Sequence, residues 1–208
     1  MSSPNYSKCT QRDIDELVRI CGADNVIVDG PVIEDCSHDE MRLRAVPEVV
    51  VFPSTTQEIS QIMKYASLRM LPVVPRGSGT GLCGGAVPVH GGIVLVLTKM
   101  DKILEVDEKN LTMTVETGAL LMTVHEVATK HGYLYAPDPG EKTATIGGNI
   151  STNAGGMRAI KYGSTRENIL GLEVVLPDGR IVFLGGKQVK KSTGYSLMNL
   201  MIGSEGTL

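Results

Sequence analysis

Two stretches of this chain hold residues whose types and spacing could do chemistry. The first reads Pro75-Arg-Gly-Ser-Gly-Thr-Gly-Leu-Cys-Gly-Gly85 and contains a G-x-G-x-x-G at Gly79, Gly81 and Gly84. In a nicotinamide-dinucleotide fingerprint such glycines run into a helix whose N-terminus meets a pyrophosphate. Here they run into Ala86-Val-Pro-Val-His-Gly-Gly92, where Pro88 and the glycine pair cannot propagate a helix, so that reading is rejected. What is left is the chemistry of a loop. Consecutive amides from Gly77 to Gly81 can curl into a nest of N–H donors around a phosphate group. Ser78 and Thr80 add hydroxyls, and Arg76 adds a positive charge. A glycine-rich surface turn is the alternative that this motif alone leaves open.

The second stretch is Pro137-Asp-Pro-Gly-Glu-Lys-Thr-Ala-Thr-Ile-Gly-Gly-Asn-Ile-Ser-Thr-Asn-Ala-Gly-Gly156. Its small hydroxyl and amide side chains pack poorly as core but hydrogen-bond well to a polar cofactor. A structured polar loop is the competing reading. The chain has 24 glycines, where average usage of about 7% would give roughly 15. Seven lie between Gly77 and Gly92 and five between Gly140 and Gly156. Glycine gathered at two places suggests backbone brought close to a ligand, each loop taking a different part of one long molecule.

Other chemistry is weaker. His38, His90, His125 and His131 show no metal-ligand spacing. Asp138 and Glu141 could form a carboxylate pair, but their Gly and Pro neighbours fit turns better. The basic run 186–193 lacks the order of a phosphate-binding P-loop and reads as a solvated charge run. Ser151 and Ser204 lack the elbow of a hydrolase nucleophile. Cysteines at 9, 21, 36 and 83 form no C-x-x-C and read as reduced, buried thiols. A net charge of −3 and a sequence pI near 5.8 argue against a strongly basic nucleic-acid binder. No run approaches the ~18–20 apolar residues of a membrane span. The opening Met1-Ser-Ser-Pro lacks the regions of a secretory signal. A cytoplasmic protein, with peripheral attachment to a membrane left open, is expected.

Elements must position these loops. Thr10 followed by Ile14, Leu17, Val18 and Cys21 predicts a helix ended by Gly22. Residues 23–44 read as irregular, and Val46–Phe52 as a strand. Ser54-Thr-Thr-Gln57 reads as a capping box before a helix carrying Ile59, Ile62, Met63 and Ala66. Strands are expected at 71–74, 93–97, 103–106 and 111–115, and a helix at 121–128 closed by Gly132. A hairpin is expected around Pro177-Asp-Gly179. Strands and helices mix without regular alternation, which favours an α+β chain of two lobes meeting near the glycine clusters.

Three motifs in order carry a family resemblance: Pro75 to Gly81, Thr145-Ile-Gly-Gly-Asn-Ile-Ser-Thr-Asn-Ala-Gly-Gly156, and Gly203-Ser-Glu-Gly-Thr-Leu208. They resemble the PCMH-type FAD-binding domain of the vanillyl-alcohol oxidase / p-cresol methylhydroxylase flavoproteins. The members most similar in look are the glycolate oxidase flavin subunits and D-lactate dehydrogenases. The resemblance runs from about Pro47 to the last residue, and faintly through Pro31–Met41. It implies residues 1–45 as an N-terminal helix and extended segment and 46–208 as a two-lobed FAD-binding domain with FAD between the lobes. By match of motif, Pro75, Arg76, Gly77, Ser78, Gly79, Thr80 and Gly81 would hold the pyrophosphate. Pro137, Asp138, Thr143, Thr145, Ile146, Gly147 and Gly148 would line the flavin and ribityl region. Ser151, Thr152, Asn153 and Ala154, with Gly203, Ser204, Glu205 and Gly206, would complete the cleft.

The resemblance also implies a reaction: hydride from the α-carbon of a small D-2-hydroxy acid, glycolate or D-lactate, to flavin N5, with electrons passed to a protein or quinone. Covalent members carry a histidine where this chain has Thr80, so noncovalent FAD is expected. Cys83 stands where serine is frequent in the family, and it reads as a small buried thiol. A C-terminal cap that grips the substrate follows this domain in the family. The chain therefore reads as an N-terminal fragment with its catalytic groups beyond Leu208, and a cofactor-binding module without a complete active site is the alternative.

Overall fold

The computed structural model describes residues 5–208 and divides them into two compact units. The first comprises residues up to Lys99 together with 175–181, the second 100–174 with 182–208. The opening Met1-Ser-Ser-Pro, read above for a signal sequence, lies outside the described residues. Among the described residues no helix is long and apolar enough to cross a membrane.

The first unit is built on a four-stranded sheet. Strands β1 (Val26–Ile27), β2 (Val49–Val51), β3 (Val73–Arg76) and β4 (Ile93–Val96) lie in the order β1-β2-β4-β3. β4 runs parallel to both β2 and β3, pairing Val49 with Ile93 and Arg76 with Val96, while β1 is antiparallel to β2. Every residue of β2 and β4 is buried, as the unbroken apolar runs require of strands covered on both faces. Alternation splits them. Val49, Val51, Ile93 and Leu95 pack with Leu17 and Cys21 of α1 (Gln11–Cys21) and Ile62 and Ala66 of α3 (Thr56–Arg69). Val50, Val94 and Val96 face the opposite way, against Val32 and Ile33 of α2 (Pro31–Asp35).

Two expectations need correction here. Residues 23–44 are not irregular: they hold a 3₁₀ turn at Ala23–Asn25, β1 and α2. Elements of two to five residues are too short to show a period. The cap of α3 lies one residue later than expected. Glu58 N donates to Thr55 Oγ1 at 3.2 Å, so Thr55 rather than Ser54 is the cap, and Ser54 N, one residue before it, donates to the Glu58 carboxylate at 2.7 Å.

α1 and α3 are joined by one buried charge. Asp13 is fully buried, and its carboxylate accepts from Arg69 Nε (2.8 Å), Tyr65 OH (2.7 Å), Thr10 Oγ1 (2.6 Å) and Thr10 N (2.8 Å). The Arg69 guanidinium, helped by Thr10 and Tyr65 against the opposing effect of burial, holds the Asp13 carboxyl well below the usual carboxylate range. A depressed folded-state pKa adds stability above the unfolded value of about 3.9, and that stability is lost as pH falls through the lower folded value. Asp13→Asn is expected to cost about 2–3 kcal/mol at pH 7 and to flatten the loss of stability below about pH 4. Urea unfolding of both chains between pH 7 and pH 2 checks this; parallel pH profiles would contradict it.

In the second unit β5 (Ile103–Asp107) and β6 (Thr112–Val115) form an antiparallel ribbon, its turn held by Asn110 N donating to Asp107 Oδ1 at 3.1 Å. Met113 and Val115 pack on a core of Ala119, Leu121, Val124 and Ile146. Leu121 and Val124 belong to α4 (Leu121–Lys130). Ile146 opens α5 (Ile146–Thr152), so the competing reading of residues 137–156 as a loop fails over seven residues, and Ile146 is an apolar side chain of the segment that enters the core. The helix forms despite two glycines because Thr145 caps it, accepting from Gly148 N at 3.2 Å, and because Ile146 N and Gly147 N donate to Ala119 and Thr117 carbonyls at 2.8 Å each.

Two further short helices, α6 (Ala159–Tyr162) and α7 (Leu197–Met201), were not anticipated. The hairpin β7 (Gly171–Val175) and β8 (Ile181–Gly185) turns at Pro177-Asp-Gly179 as expected. Its turn belongs with the first unit, where Ser60 Oγ of α3 donates to the Gly179 carbonyl.

The docking of α5 leaves no room at Gly147. A Cβ there would fall 1.8 Å from Thr117 Oγ1 and 2.9 Å from its carbonyl oxygen. Gly147→Ala is expected to destabilise the chain by about 2–3 kcal/mol through overpacking, with much of that recovered in Gly147→Ala/Thr117→Gly. Equal unfolding midpoints for wild type and Gly147→Ala would contradict the packing described.

Candidate functional site

In a parallel sheet, ligands gather outside the carboxyl ends of the strands. The first glycine cluster leaves β3 at that end. From Gly77 to Gly92 the backbone forms turns and bends with no helix, in agreement with rejection of the nicotinamide fingerprint. Gly79 and Gly84 take left-handed φ values of 77° and 81°.

Arg76, the last residue of β3, is only 9% exposed. Its Nη1 donates to the carbonyls of His38 (2.8 Å) and Ala86 (3.3 Å), and Nη2 to that of Asp35 (3.0 Å). Gly79 lies across the guanidinium so closely that a Cβ would fall 2.1 Å from Nη2. Asp39, 2% exposed, does the reverse: its carboxylate accepts from Leu43 N and Gly84 N, both at 3.0 Å. Glu40 N donates to the Gly81 carbonyl at 3.3 Å. Asp35, His38, Asp39 and Glu40 are therefore bonded to Arg76 and the glycine loop that follows it. Asp35, His38, Asp39, Glu40, Arg42, Arg76, Ser78 and Gly79 enclose a recess of about 350 Å³.

Of the residues lining this recess, Arg76, Ser78 and Gly79 are candidates from the sequence, and Asp39 and Arg42 are not. The faint resemblance through Pro31–Met41 was the available signal, and nothing in it singles out a buried aspartate. Cys83 corrects another expectation. It is exposed on the loop, because the adjacent turn is anchored through Gly84 N and leaves the thiol outside; Cys21 and Cys36 are buried as expected, and Cys9 is half-buried.

The second unit assembles its own cluster around α5. Asn153 ends the helix with φ 49°, and its Oδ1 accepts from Ser164 Oγ (2.8 Å) and Arg166 N (3.0 Å). The closing motif joins the same helix end: Gly203 N donates to the Ile150 carbonyl at 3.0 Å and Glu205 N to that of Ser151 at 2.9 Å. Arg166 clamps the approach, with Nη2 donating to the Ile202 carbonyl at 2.6 Å. Thr145, Ile146, Gly147, Gly148, Ser151, Thr152, Asn153 and Ala154 thus lie on one short helix and its ends, and Gly203 and Glu205 of the closing motif bond to its last turn.

Pro137 is buried, and its carbonyl accepts from His125 Nε2 at 3.0 Å. Asp138 pairs with Arg158 at 3.4 Å, and a Cβ on Gly156 would fall 1.8 Å from the Asp138 carbonyl oxygen, so the two ends of the second glycine stretch meet. Glu141 accepts from the amide and hydroxyl of Thr143, which lower its pKa, and Asp138 accepts from Gly140 N at 3.4 Å. Both carboxylates serve turns. Arg166 and His125 were missed because their roles depend on backbone carbonyls distant in sequence. Asn149 was missed as well; it is 4% exposed, and its buried Nδ2 meets no acceptor.

Both clusters are rich in backbone amides, carbonyls and small hydroxyls held in place by charged side chains, which is equipment for holding a polar ligand. Among the described residues no group of three or more His, Cys, Asp or Glu is placed to hold a metal ion.

Known proteins are similar to this chain. A family described as the FAD binding domain matches residues 47–185. The chain is 49% identical to a D-lactate dehydrogenase of Anaerostipes hadrus, over 100% of its own length and 44% of that protein. It is 44% identical to the glycolate oxidase subunit GlcD of Bacillus subtilis (strain 168), over 93% of itself and 42% of that subunit. The chain thus spans about two-fifths of the length of these curated relatives. Among solved structures, an alkyldihydroxyacetonephosphate synthase superposes with a TM-score of 0.83 at 21% identity, covering 99% of this chain and 40% of that one. A substrate-bound p-cresol methylhydroxylase gives 0.80 at 20% identity, covering 93% and 41%. The fold is the α+β PCMH-type FAD-binding fold, and the chain belongs to the FAD binding domain family.

Proposed function

We propose that this chain is the cofactor-holding part of an FAD-dependent dehydrogenase that oxidises a small D-2-hydroxy acid, glycolate or D-lactate. The observation that carries the reading is the pair of clusters, each made from motifs that occur in order and each rich in fixed hydrogen-bonding groups. The amides of Gly77, Ser78, Gly79, Thr80 and Gly81, following Pro75 and backed by Arg76, would hold the pyrophosphate. Pro137, Asp138, Thr143 and Thr145 to Gly148 would line the flavin and ribityl chain, with Ser151 to Ala154 and Gly203 to Gly206 completing the site. The residues fit such a group. Gly81 and Gly155 have neither a left-handed backbone nor a crowded one, and a Cβ on either would meet nothing within 4 Å, so the space beside them is open.

When bound, FAD supplies the two-electron acceptor for hydride from the substrate's α-carbon; the redox chemistry belongs to the cofactor. The chain's own part is to bind and orient it. Electrons would pass on to a protein or quinone acceptor, in the cytoplasm or at the membrane surface. Thr80 offers no imidazole for a covalent link, so FAD is held noncovalently. Acid precipitation is expected to release all flavin to the supernatant; flavin retained by the pellet would contradict this.

A second reading, a binding module without a complete active site, is favoured by the composition of the two clusters. Both clusters are built largely from backbone amides, carbonyls and small hydroxyls suited to holding a ligand, whereas hydride transfer also needs the reacting atoms held about 3–3.5 Å apart and a base within reach of the hydroxyl. Residues 1–208 alone are expected to take up FAD and to reduce a dye with D-lactate or glycolate at a negligible rate. Turnover comparable with that of a chain of the relatives' full length would move the catalytic groups into these residues.

A further inference from the structure

A single arginine inside a glycine-rich phosphate loop suggests a cation in contact with the phosphates. The geometry around Arg76 points elsewhere. Guanidinium has five N–H donors in a fixed fork. Three hydrogen bonds run from its two terminal nitrogens to the carbonyls of Asp35, His38 and Ala86. The rest of the group lies under Gly79: an added Cβ would fall 2.1 Å from Nη2, 2.5 Å from Cζ and 3.0 Å from Nε. With 9% of the residue exposed, three of its five donors are committed to carbonyls of the chain itself.

We propose that Arg76 is an internal strut, a positioning residue that bonds residues 35–38 to Ala86 and carries Gly79 on its face, so that the amides of 77–81 are ordered for the phosphates they bind. Gly79 is glycine for two reasons that both arise within the chain: its φ of 77°, and the guanidinium beneath it. The cofactor half of this proposal rests on the FAD reading above; the strut itself does not.

The test uses the FAD-free and FAD-loaded chain in five forms: unaltered, Gly79→Ala, Arg76→Gln, the double variant, and Arg76→Lys. In the FAD-free chain, Gly79→Ala is expected to lower Tm by about 3 °C or more, and by less than half as much once Arg76→Gln has removed the group its Cβ meets. Amide hydrogen exchange over residues 35–45 and 77–86 should quicken in Arg76→Gln. FAD affinity, read by flavin fluorescence, should fall about tenfold or more in Arg76→Gln. Arg76→Lys, which keeps the charge and loses the fork, should lose nearly as much. Affinity for riboflavin, which has no pyrophosphate, should not change, whereas a general loosening of the chain would weaken both ligands.

Equal costs of Gly79→Ala in the two backgrounds, with unaltered exchange, would overturn the strut; near-normal FAD affinity in Arg76→Lys would instead make Arg76 a phosphate ligand. Unchanged FAD affinity in Arg76→Gln despite faster exchange would overturn the link between loop order and cofactor. An unaltered chain that takes up no FAD would strike the FAD reading and the cofactor half, while the strut stands or falls on the Tm coupling.

Discussion

A guanidinium withdrawn from water must find acceptors or it destabilises the fold that buries it. Arg76 finds them on the carbonyls of Asp35, His38 and Ala86, at the carboxyl end of β3. Much else in the first unit follows from that requirement. The end of α2 has to lie beside the strand, the loop has to return at Ala86, and the residue crossing the guanidinium has to lack a side chain. Asp39 completes the arrangement with the opposite charge, satisfied by the amides of Leu43 and Gly84. One cation and one anion, each nearly buried and each answered by backbone, tie the segment from Asp35 to Leu43 to the glycine loop. Beneath them the parallel strands provide a rigid base, because β2 and β4 are apolar along their whole length.

The second unit reaches the same end without a buried charge of this kind. Its anchor is α5, seven residues long and too short to stand alone. Backbone bonds to Thr117 and Ala119 fix its start, and Gly203 and Glu205 bind its last turn. Arg166 holds the strand of chain that delivers the closing motif. Residues about fifty positions apart therefore meet because helix termini leave carbonyls that need donors. The small side chains of this segment are what permits that close approach.

The glycines divide along the same line. Gly79, Gly147 and Gly156 are required by atoms of the chain itself, which a Cβ would strike at about 2 Å. Gly92 and Gly179 are confined in the same way by the carbonyls of Pro72 and Ser60. Much of the glycine excess thus serves internal packing. Gly81 and Gly155 are under no such demand: neither has a left-handed φ, and a Cβ on either would meet nothing within 4 Å.

The strands at 93–96, 103–107 and 112–115, helices α1 and α4, and the hairpin at Pro177-Asp-Gly179 were legible in the amino-acid order, since hydrophobic period and turn residues act locally. The ordered motifs were legible too, and with them the family. The short elements β1, α2, α5, α6 and α7 were not, because their stability comes from contacts rather than from any period of their own. The amino-acid order offers Ser54 as the cap and the structure uses Thr55, a choice between adjacent hydroxyls that only backbone geometry makes. The exposure of Cys83, the burial of Asp13, Asp39 and Asn149, and the commitment of Arg76 to three carbonyls were decided by tertiary structure alone. The sequence by itself determined which residues could donate, accept or do without a side chain. Which partner each one meets depended on segments separated by tens of residues, and a hydrogen bond across that distance leaves no mark in local composition.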